Sequence, residues 1–376
     1  MRVLGLMSGT SADGVDAVLA EFAGAPQQPQ WTFLNLASTP YPNQLRQALI
    51  NVGQGKALSS KDWLELAESV TAFQFQAAQA CDPTGQAEVV GCHGQTVWHR
   101  PPNTTQRGAS WQMLQAPLLA QLLNRPVVHD FRAKDLALGG QGAPLVPMAD
   151  AALLGRISGW RAILNLGGIA NLTLIPPKAG PDREAHIQGW DCGPANSLVD
   201  LAMAQISAGK LAFDLDGEMA AKGKPDEACI KSWLKEPYFQ APPPKSTGRE
   251  QFGIIDLKRR MQELKALSTV DMIATLTAFS AAAVAHDLDN VPIVRPLGMA
   301  VAGGGSSNPV LMAQLRSRCR GIKVQTIEEL GLRSEAREAL AFALLAWWHC
   351  IRHPGSAPSI TGARRAAVLG TRVDPG

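Results

Sequence analysis

No C-x-x-C pair joins any of the six cysteines, which lie scattered at Cys81, Cys92, Cys192, Cys229, Cys319 and Cys350 along 376 residues. That spacing predicts reduced thiols, as in a cytoplasm, and argues against a zinc ribbon or a disulfide framework. No run of about 18 apolar residues occurs, so no membrane span is expected. Charge is sparse too. Charged residues make up 18% of the chain and leave a formal net charge of +3, too little for a dedicated nucleic-acid binder. A local basic pocket for phosphate stays open. The opening MRVLGLMSGTSADG has one arginine, a short apolar stretch and no cleavage site, so it reads as a first strand rather than a signal peptide. Short-period repeats and long low-complexity tracts are absent as well.

What is present is ordinary in bulk and informative in pattern. Hydrophobic residues are 46% of a chain too long for one core, so two domains are expected. The 35 glycines and 26 prolines are spread between apolar segments as turns. Residues 3–7 are an apolar run, 8–14 a turn rich in Gly, Ser and Thr, and 15–22 a second alternating run. Residues 161–166, Gly167-Gly168 and 169–175 repeat that plan. Each reads as a β-hairpin with small residues at its tip, and the pair suggests duplicated domains. Short buried strands are expected at 88–91, 126–129 and 297–302. Helices are expected at 61–80, 197–206, 271–287 and 337–350. Residues 236–253, with Pro237, Pro242, Pro243 and Pro244, read as a loop. The result is a layered α/β protein.

The first glycine turn is Gly9, Thr10, Ser11, Ala12, Asp13, Gly14, followed by Val15 and Asp16. A Walker loop needs Lys and Ser/Thr after its second glycine, so that motif is excluded. A glycine hairpin still offers closely spaced N–H groups and hydroxyls to triphosphate oxygens. Asp13 and Asp16 could hold magnesium through water. An ordinary exposed turn is the competing reading. Gly167 and Gly168 show the same logic. Gly303, Gly304 and Gly305, with Ser306, Ser307 and Asn308, lie between a strand and the helical stretch 310–316, where a nucleotide can approach a helix N-terminus. A Rossmann fingerprint would need glycine at Asn308 and an acid near Glu328, and its late position makes it weak.

Asp191, in 189–196, reads as the end of a strand beside a helix start, with Pro194 in the first turn. There it could serve as a base toward a hydroxyl or water, or as a plain helix cap. Cys192 lacks a histidine partner motif and is discounted as a nucleophile. His93 and His99 flank 94–98, read as a loop suited to substrate contact. His349 and His353 could share a helix face, but no HExxH carboxylate accompanies them, so a helix end favouring positive charge explains them better.

Taken in order, several segments resemble the anhydro-N-acetylmuramic acid kinase family of the actin, Hsp70 and sugar-kinase superfamily. They are GLMSGTSADGVD (5–16), GCHGQTVWHRP (91–101), DFR (130–132), GGQGAPLVP (139–147), 165–171, 191–196, DG (216–217), KSTGRE (245–250), 303–309 and EALAFA (338–343). The resemblance implies an α/β fold of two actin-like (ribonuclease H-like) ATPase domains flanking an interdomain nucleotide cleft. The domains would be 1–130, completed by 345–376, and 131–344. It implies ATP and Mg²⁺ as cofactors, with ATP phosphates bound by Gly9 to Asp16 and by the turns at Gly167-Gly168 and Gly303 to Asn308. Asp191 would activate water at C1 of the anhydro-sugar while O6 is phosphorylated, in peptidoglycan recycling. Thr96, Arg132, Gln141 and Glu338 are the implied substrate contacts. The implied setting is a cytoplasmic homodimer acting on a small amino-sugar, without nucleic acid or membrane. The sequence departs from the family where Cys192 replaces Thr, Ala195 replaces Gly, and Leu114-Gln115 replaces Gly-Asp. A kinase of the same fold for another substrate, and a non-catalytic ATP switch, are the alternatives.

Overall fold

A computed structural model of the chain describes every residue except Thr10, Pro244, Arg249, Glu250 and 291–294, together with the side chain of Glu184. The chain divides into two compact units, Met1–Gly155 with Leu332–Gly376, and Arg156–Gly331.

The first unit opens with strands β1 (Arg2–Ser8), β2 (Gly14–Ala25) and β3 (Gln28–Pro40), then helices α1 (Asn43–Gly53) and α2 (Ser60–Cys81). A capping box starts α2: Ser59 Oγ accepts from the Asp62 N–H, and the Asp62 carboxylate accepts from the Ser59 N–H. Next come β4 (Val89–Arg100), β5 (Ala109–Met113), α3 (Ala116–Leu123), β6 (Val127–His129), α4 (Ala133–Ala137) and α5 (Val146–Leu154). The second unit holds β7 (Arg161–Leu166), β8 (Ile169–Ile175) and β9 (Gln188–Pro194). Helices α6 (Ser197–Ile206), α7 (Glu227–Trp233), α8 (Pro237–Gln240), α9 (Ile254–Glu263) and α10 (Thr269–Asn290) follow. After β10 (Gly298–Ala302), α11 (Pro309–Arg318) and β11 (Lys323–Thr326), the chain rejoins the first unit as α12 (Arg337–Cys350), α13 (Pro358–Thr361) and β12 (Thr371–Val373).

Each unit has one mixed sheet. The first runs β12-β6-β4-β1-β2-β3, with β5 on β4; the second runs β11-β10-β7-β8-β9. Both share a nucleus. β1 is antiparallel to β2 and parallel to β4, and β7 is antiparallel to β8 and parallel to β10. The two expected glycine-tipped hairpins are therefore interior pairs of their sheets.

Two glycines let α12 lie directly on the first sheet. A Cβ on Gly5 would fall 1.9 Å from the Ala339 carbonyl oxygen, and one on Gly91 would fall 2.3 Å from that of Phe342. The helix is buried at Arg337 and from Ala339 through Trp348, so it is a core element whose first turn carries Glu338. In the second unit α10 plays the core role. By length and composition it could cross a membrane, a feature that a search for unbroken apolar runs overlooks because Thr and Ser punctuate it. Its apolar window is 78% buried within the unit.

Two local expectations are corrected. Residues 94–98 are strand, not loop: β5 pairs with β4 from Gln95–Met113 to Arg100–Ala109 and extends it. The proline-rich stretch 236–253 contains a short helix, α8, with Pro237 in its first turn, where the missing N–H costs nothing.

Candidate active site

In the first unit, Gly9, Ser11, Asp13, Gly14, Val15 and Asp16 line a cavity of about 280 Å³ with Ser38, Thr39 and Glu338. Thr10 lies outside the described residues. The turn closes through the Ala12 N–H on the Gly9 carbonyl (3.1 Å), with Ala12 left-handed at φ 52°. Strand β3 presses so near that a Cβ on Gly14 would stand 2.3 Å from the Thr39 oxygen. From β4, Gln95 Nε2 donates to the Gly9 carbonyl (3.0 Å). Ser8 Oγ lies 2.5 Å from Gln95 Oε1 and 2.9 Å from the Gly14 oxygen, so its one proton serves one of them at a time.

The three carboxylates of this cavity differ. Asp13 pairs with exposed Arg46 from α1 (3.0 Å), a contact of small energetic weight. Asp16 Oδ1 accepts from Ser38 Oγ (2.6 Å). Glu338 opens into the cavity, yet the protein walls around it strip enough water to raise its carboxyl above the usual range. Arg337 and Arg132 oppose that rise, while Asp150 and Asp16 add to it.

Arg132 precedes α4. Its Nη1 donates to the Gly142 carbonyl (2.8 Å) and its Nη2 to His93 Nε2 (3.0 Å), while its buried Nε has no partner among the described residues. Arginine only donates, so Nε2 of His93 accepts, and the ring carries its proton on Nδ1, which donates to the Gly94 carbonyl (2.9 Å). Burial, and then the Arg132 charge, push His93 down to about 3. Burial likewise lowers Arg132 to about 10, with Glu338 opposing. His99 sits on the same strand and is lowered first by burial and then by Arg132. Thr96 accepts from Gln112 Nε2 across the β4–β5 pair (3.2 Å). Gln141 is held by its backbone N–H on the Thr361 carbonyl (2.8 Å). The first unit thus groups the Gly9–Asp16 turn with Glu338, and couples Glu338 to Arg132. Thr96 and Gln141 do not line that cavity.

In the second unit the other two glycine motifs meet at the end of β7. Asn196 Nδ2 donates to the carbonyls of Leu166 (3.1 Å) and Gly167 (2.8 Å). The N–H groups of Ala195 and Ser197 donate to the Gly168 carbonyl (2.9 and 3.0 Å), and that of Asn196 to Gly167 (3.1 Å). Gly303 is left-handed at φ 84°, and a Cβ there would stand 2.8 Å from the Leu166 oxygen; one on Gly305 would stand 2.7 Å from Leu166 Cβ. Beside this junction a cavity of about 370 Å³ is lined by Gly304 and Asn308, together with Asn196, Asp200, Phe213 and Asp216. Asn308 Oδ1 caps α11, accepting from the N–H groups of Val310 and Leu311 (3.0 and 3.1 Å).

Asp191 lies within β9, not at a helix start; Asn196 precedes α6, and Pro194 ends the strand. Asp191 pairs with Asn171 while Gly193 pairs with Ala170, which leaves Cys192 as the extra residue of a β-bulge. Bulges re-aim neighbouring side chains. The Asp191 carboxylate accepts from Asn171 Nδ2 on Oδ1 (2.8 Å) and from the Thr247 N–H on Oδ2 (3.0 Å). Cys192 is buried, and its thiol is raised well above the usual range by burial first and Asp287 second, so it is no nucleophile. Asn171 and Thr247 fall inside segments already noted for the family resemblance, but only the fold shows that they share one carboxylate. Gln95 belongs to a similar segment. Asp287 had a fainter signal, an acid on the buried face of an apolar helix.

Glycine turns beside cavities, oxygen-rich cavity walls and an aspartate held at both oxygens suit a phosphoryl-transfer protein. The family model described as anhydro-N-acetylmuramic acid kinase matches residues 1–375. A curated relative so named from Prochlorococcus marinus (strain MIT 9303) is 71% identical, with 100% of both chains covered. Another, from Synechococcus sp. (strain CC9902), is 63% identical over the whole of both chains. The chain belongs to the anhydro-N-acetylmuramic acid kinase family. A solved structure, component A of (R)-2-hydroxyglutaryl-CoA dehydratase from Acidaminococcus fermentans, aligns over 94% of this chain and 100% of its own, at 13% identity and a TM-score of 0.44.

Proposed function

We propose that this chain is an ATP-dependent kinase that opens the 1,6-anhydro ring of anhydro-N-acetylmuramic acid with water and phosphorylates O6. The products are N-acetylmuramic acid 6-phosphate and ADP, and the reaction serves peptidoglycan recycling. The observation that carries the mechanism is the Asp191 carboxylate, held by Asn171 and the Thr247 N–H. Held in that way, it takes a proton from water as the oxygen attacks C1. The C1–O6 bond breaks with its electrons going to O6. O6 then attacks the γ-phosphorus, and the bond to the leaving ADP oxygen breaks. The proton left on Asp191 passes to solvent. No separate acid is needed, because phosphoryl transfer consumes the alkoxide as it develops.

Gly9, Thr10, Ser11, Ala12, Asp13, Gly14, Val15 and Asp16 are assigned to phosphate oxygens, as are Gly167, Gly168 and Gly303 to Gly305. The 370 Å³ cavity at Gly304 and Asn308, with Phe213 at its rim, suits the nucleoside. Asp13 and Asp16 are oxygen donors of the hardness Mg²⁺ prefers, and the ion would neutralise phosphate charge there. Arg132 and Glu338 are assigned to the sugar, with Thr96 and Gln141 as further contacts. The two actin-like domains are assigned to 1–130 completed by 345–376 and to 131–344, a division close to the two compact units Met1–Gly155 with Leu332–Gly376 and Arg156–Gly331. A cytoplasmic homodimer is the expected working form, and sedimentation tests it.

The test is ADP release with and without anhydro-N-acetylmuramic acid. Release that requires this sugar is expected; release with other sugars, or without any, points to the alternatives. Asp191→Asn should lower turnover by at least about 10²-fold while ATP affinity stays within a few-fold. A near-normal rate in that variant removes Asp191 as the base.

A further inference from the structure

We propose that the buried ion pair Lys245–Asp287 is a positioning device for Asp191, clamping the segment that supplies the Thr247 N–H against the outer edge of β9. The proposal rests on Asp191 being the base.

β9 is the last strand of its sheet among the described residues, and no strand ladder among them runs along its outer side. Tyr238, Lys245 and Thr247 nonetheless converge on one position there. The Asp191 N–H donates to the Lys245 carbonyl (3.0 Å), Tyr238 Oη donates to the Asp191 carbonyl (2.7 Å), and the Thr247 N–H donates to Asp191 Oδ2 (3.0 Å). The Lys245 side chain adds a charged anchor to these bonds. That side chain, only 6% exposed, brings Nζ to Asp287 Oδ1 of α10 at 2.8 Å, and the Asp287 side chain is itself 4% exposed. The ammonium also lies 5.0 Å over the Tyr238 ring, tying the other contributor to the same point.

Asp287 gathers the opposite face as well. Its Oδ2 accepts from Trp190 Nε1 (2.9 Å), and the Cys192 thiol lies within its hydrogen-bonding reach. Trp190 and Cys192 flank Asp191, so one carboxylate fixes the residues before and after the base and, through Lys245, the segment that orients it. Burial raises the Asp287 carboxyl, and Lys245, Trp190 and Cys192 pull it back. A buried ion pair is a poor source of net stability once desolvation is counted. What it supplies here is geometry: a fixed register between Thr247 and Asp191.

The double variant Lys245→Gln/Asp287→Asn replaces the ion pair with an amide pair, keeps an acceptor for Trp190 and leaves no uncompensated buried charge. The expected result is a folded protein whose kcat falls about 10- to 100-fold with KM for ATP unchanged. The acid limb of its kcat–pH profile should also move to higher pH, because Asp191 loses a hydrogen bond that favours its ionised form. Lys245→Arg should restore most of the rate. Thr247→Pro removes the donor N–H directly, leaves the ion pair in place and should reproduce both effects. A wild-type kcat and acid limb in either the double variant or Thr247→Pro overturns the proposal, as does a lower kcat with an unmoved acid limb. Asp191→Asn measured alongside separates the two ideas. If it is inactive while the amide pair behaves as wild type, only the clamp fails; if it is active, the base assignment fails first.

Discussion

The two glycine-tipped hairpins share a sequence plan and an interior place in their sheets, yet their tips are held differently. The β1–β2 tip borders a cavity whose walls carry Asp13, Asp16 and Glu338, and Gln95 of β4 and the Ala12 N–H reach its Gly9 carbonyl. The β7–β8 tip is welded shut on one side. The carbonyls of Leu166, Gly167 and Gly168 are all taken by Asn196 and by the N–H groups of residues 195–197, while Gly303 and Gly305 press on Leu166. The first tip borders open space; the second is a joint among three motifs. Similar glycine patterns thus meet two physical demands, one by bordering a cavity and one by letting backbones touch.

That distinction can be broken at single glycines. Gly14 and Gly303 are demanded by the fold, since an added Cβ would meet backbone at 2.3 and 2.8 Å and Gly303 is also left-handed. Gly14→Ala and Gly303→Ala should each lose about 3 kcal/mol in urea unfolding. Gly9 and Gly167 are not demanded by it, because the nearest atoms to an added Cβ are 3.7 and 3.8 Å away. Gly9→Ala and Gly167→Ala should keep stability within about 0.5 kcal/mol and yet weaken nucleotide binding about tenfold. Wild-type nucleotide affinity in a stable Gly9→Ala would mean that the open tip does not approach phosphate.

The comparison sharpens at Glu338, the half-enclosed acid that borders the open tip. Its carboxyl is raised in the folded protein, chiefly by burial. A raised acid favours its protonated form, so the native state is best served below the ordinary carboxylate range and loses stability as pH rises through the folded value. Glu338→Gln removes that loss. Thermal unfolding should show the variant with a higher Tm than wild type at pH 7.5 and the gain fading toward pH 4, while kinase activity falls at both. A variant less stable at pH 7.5 would show that the surrounding arginines outweigh desolvation.

Periodicity and turn chemistry made most of this fold legible. The helices at 197–206 and 337–350 and the strands of both hairpins stand where apolar spacing puts them. Residues 94–98 failed because Gly94, Gln95 and Thr96 look like a turn, whereas pairing with β5, a long-range term, makes them strand. Asp191 was found as a carboxylate in a suggestive setting, but its placement on β9 depends on a bulge at Cys192 that no local pattern announces. The Lys245–Asp287 pair spans 42 residues and is visible only once α10 is packed against β9.

The smallest effect concerns the side chain that steadies Arg132. His93 is buried at 3% exposure and lowered to about 3 by burial and by Arg132. A histidine with a depressed value stabilises the fold while neutral, above its unfolded value near 6.5, and that stability drains as pH falls toward the folded value. Between pH 7.5 and 6.0 the wild-type protein should therefore lose about 0.8 kcal/mol through this one ring. His93→Gln keeps an acceptor for Arg132 but cannot titrate, so the difference in stability between the two proteins should narrow by that amount over the same interval. Parallel stability–pH curves would mean that the imidazole protonates as readily when folded as when unfolded. Arg132 would then lack a neutral acceptor in His93, and its guanidinium would be held by Gly142 alone among the partners described.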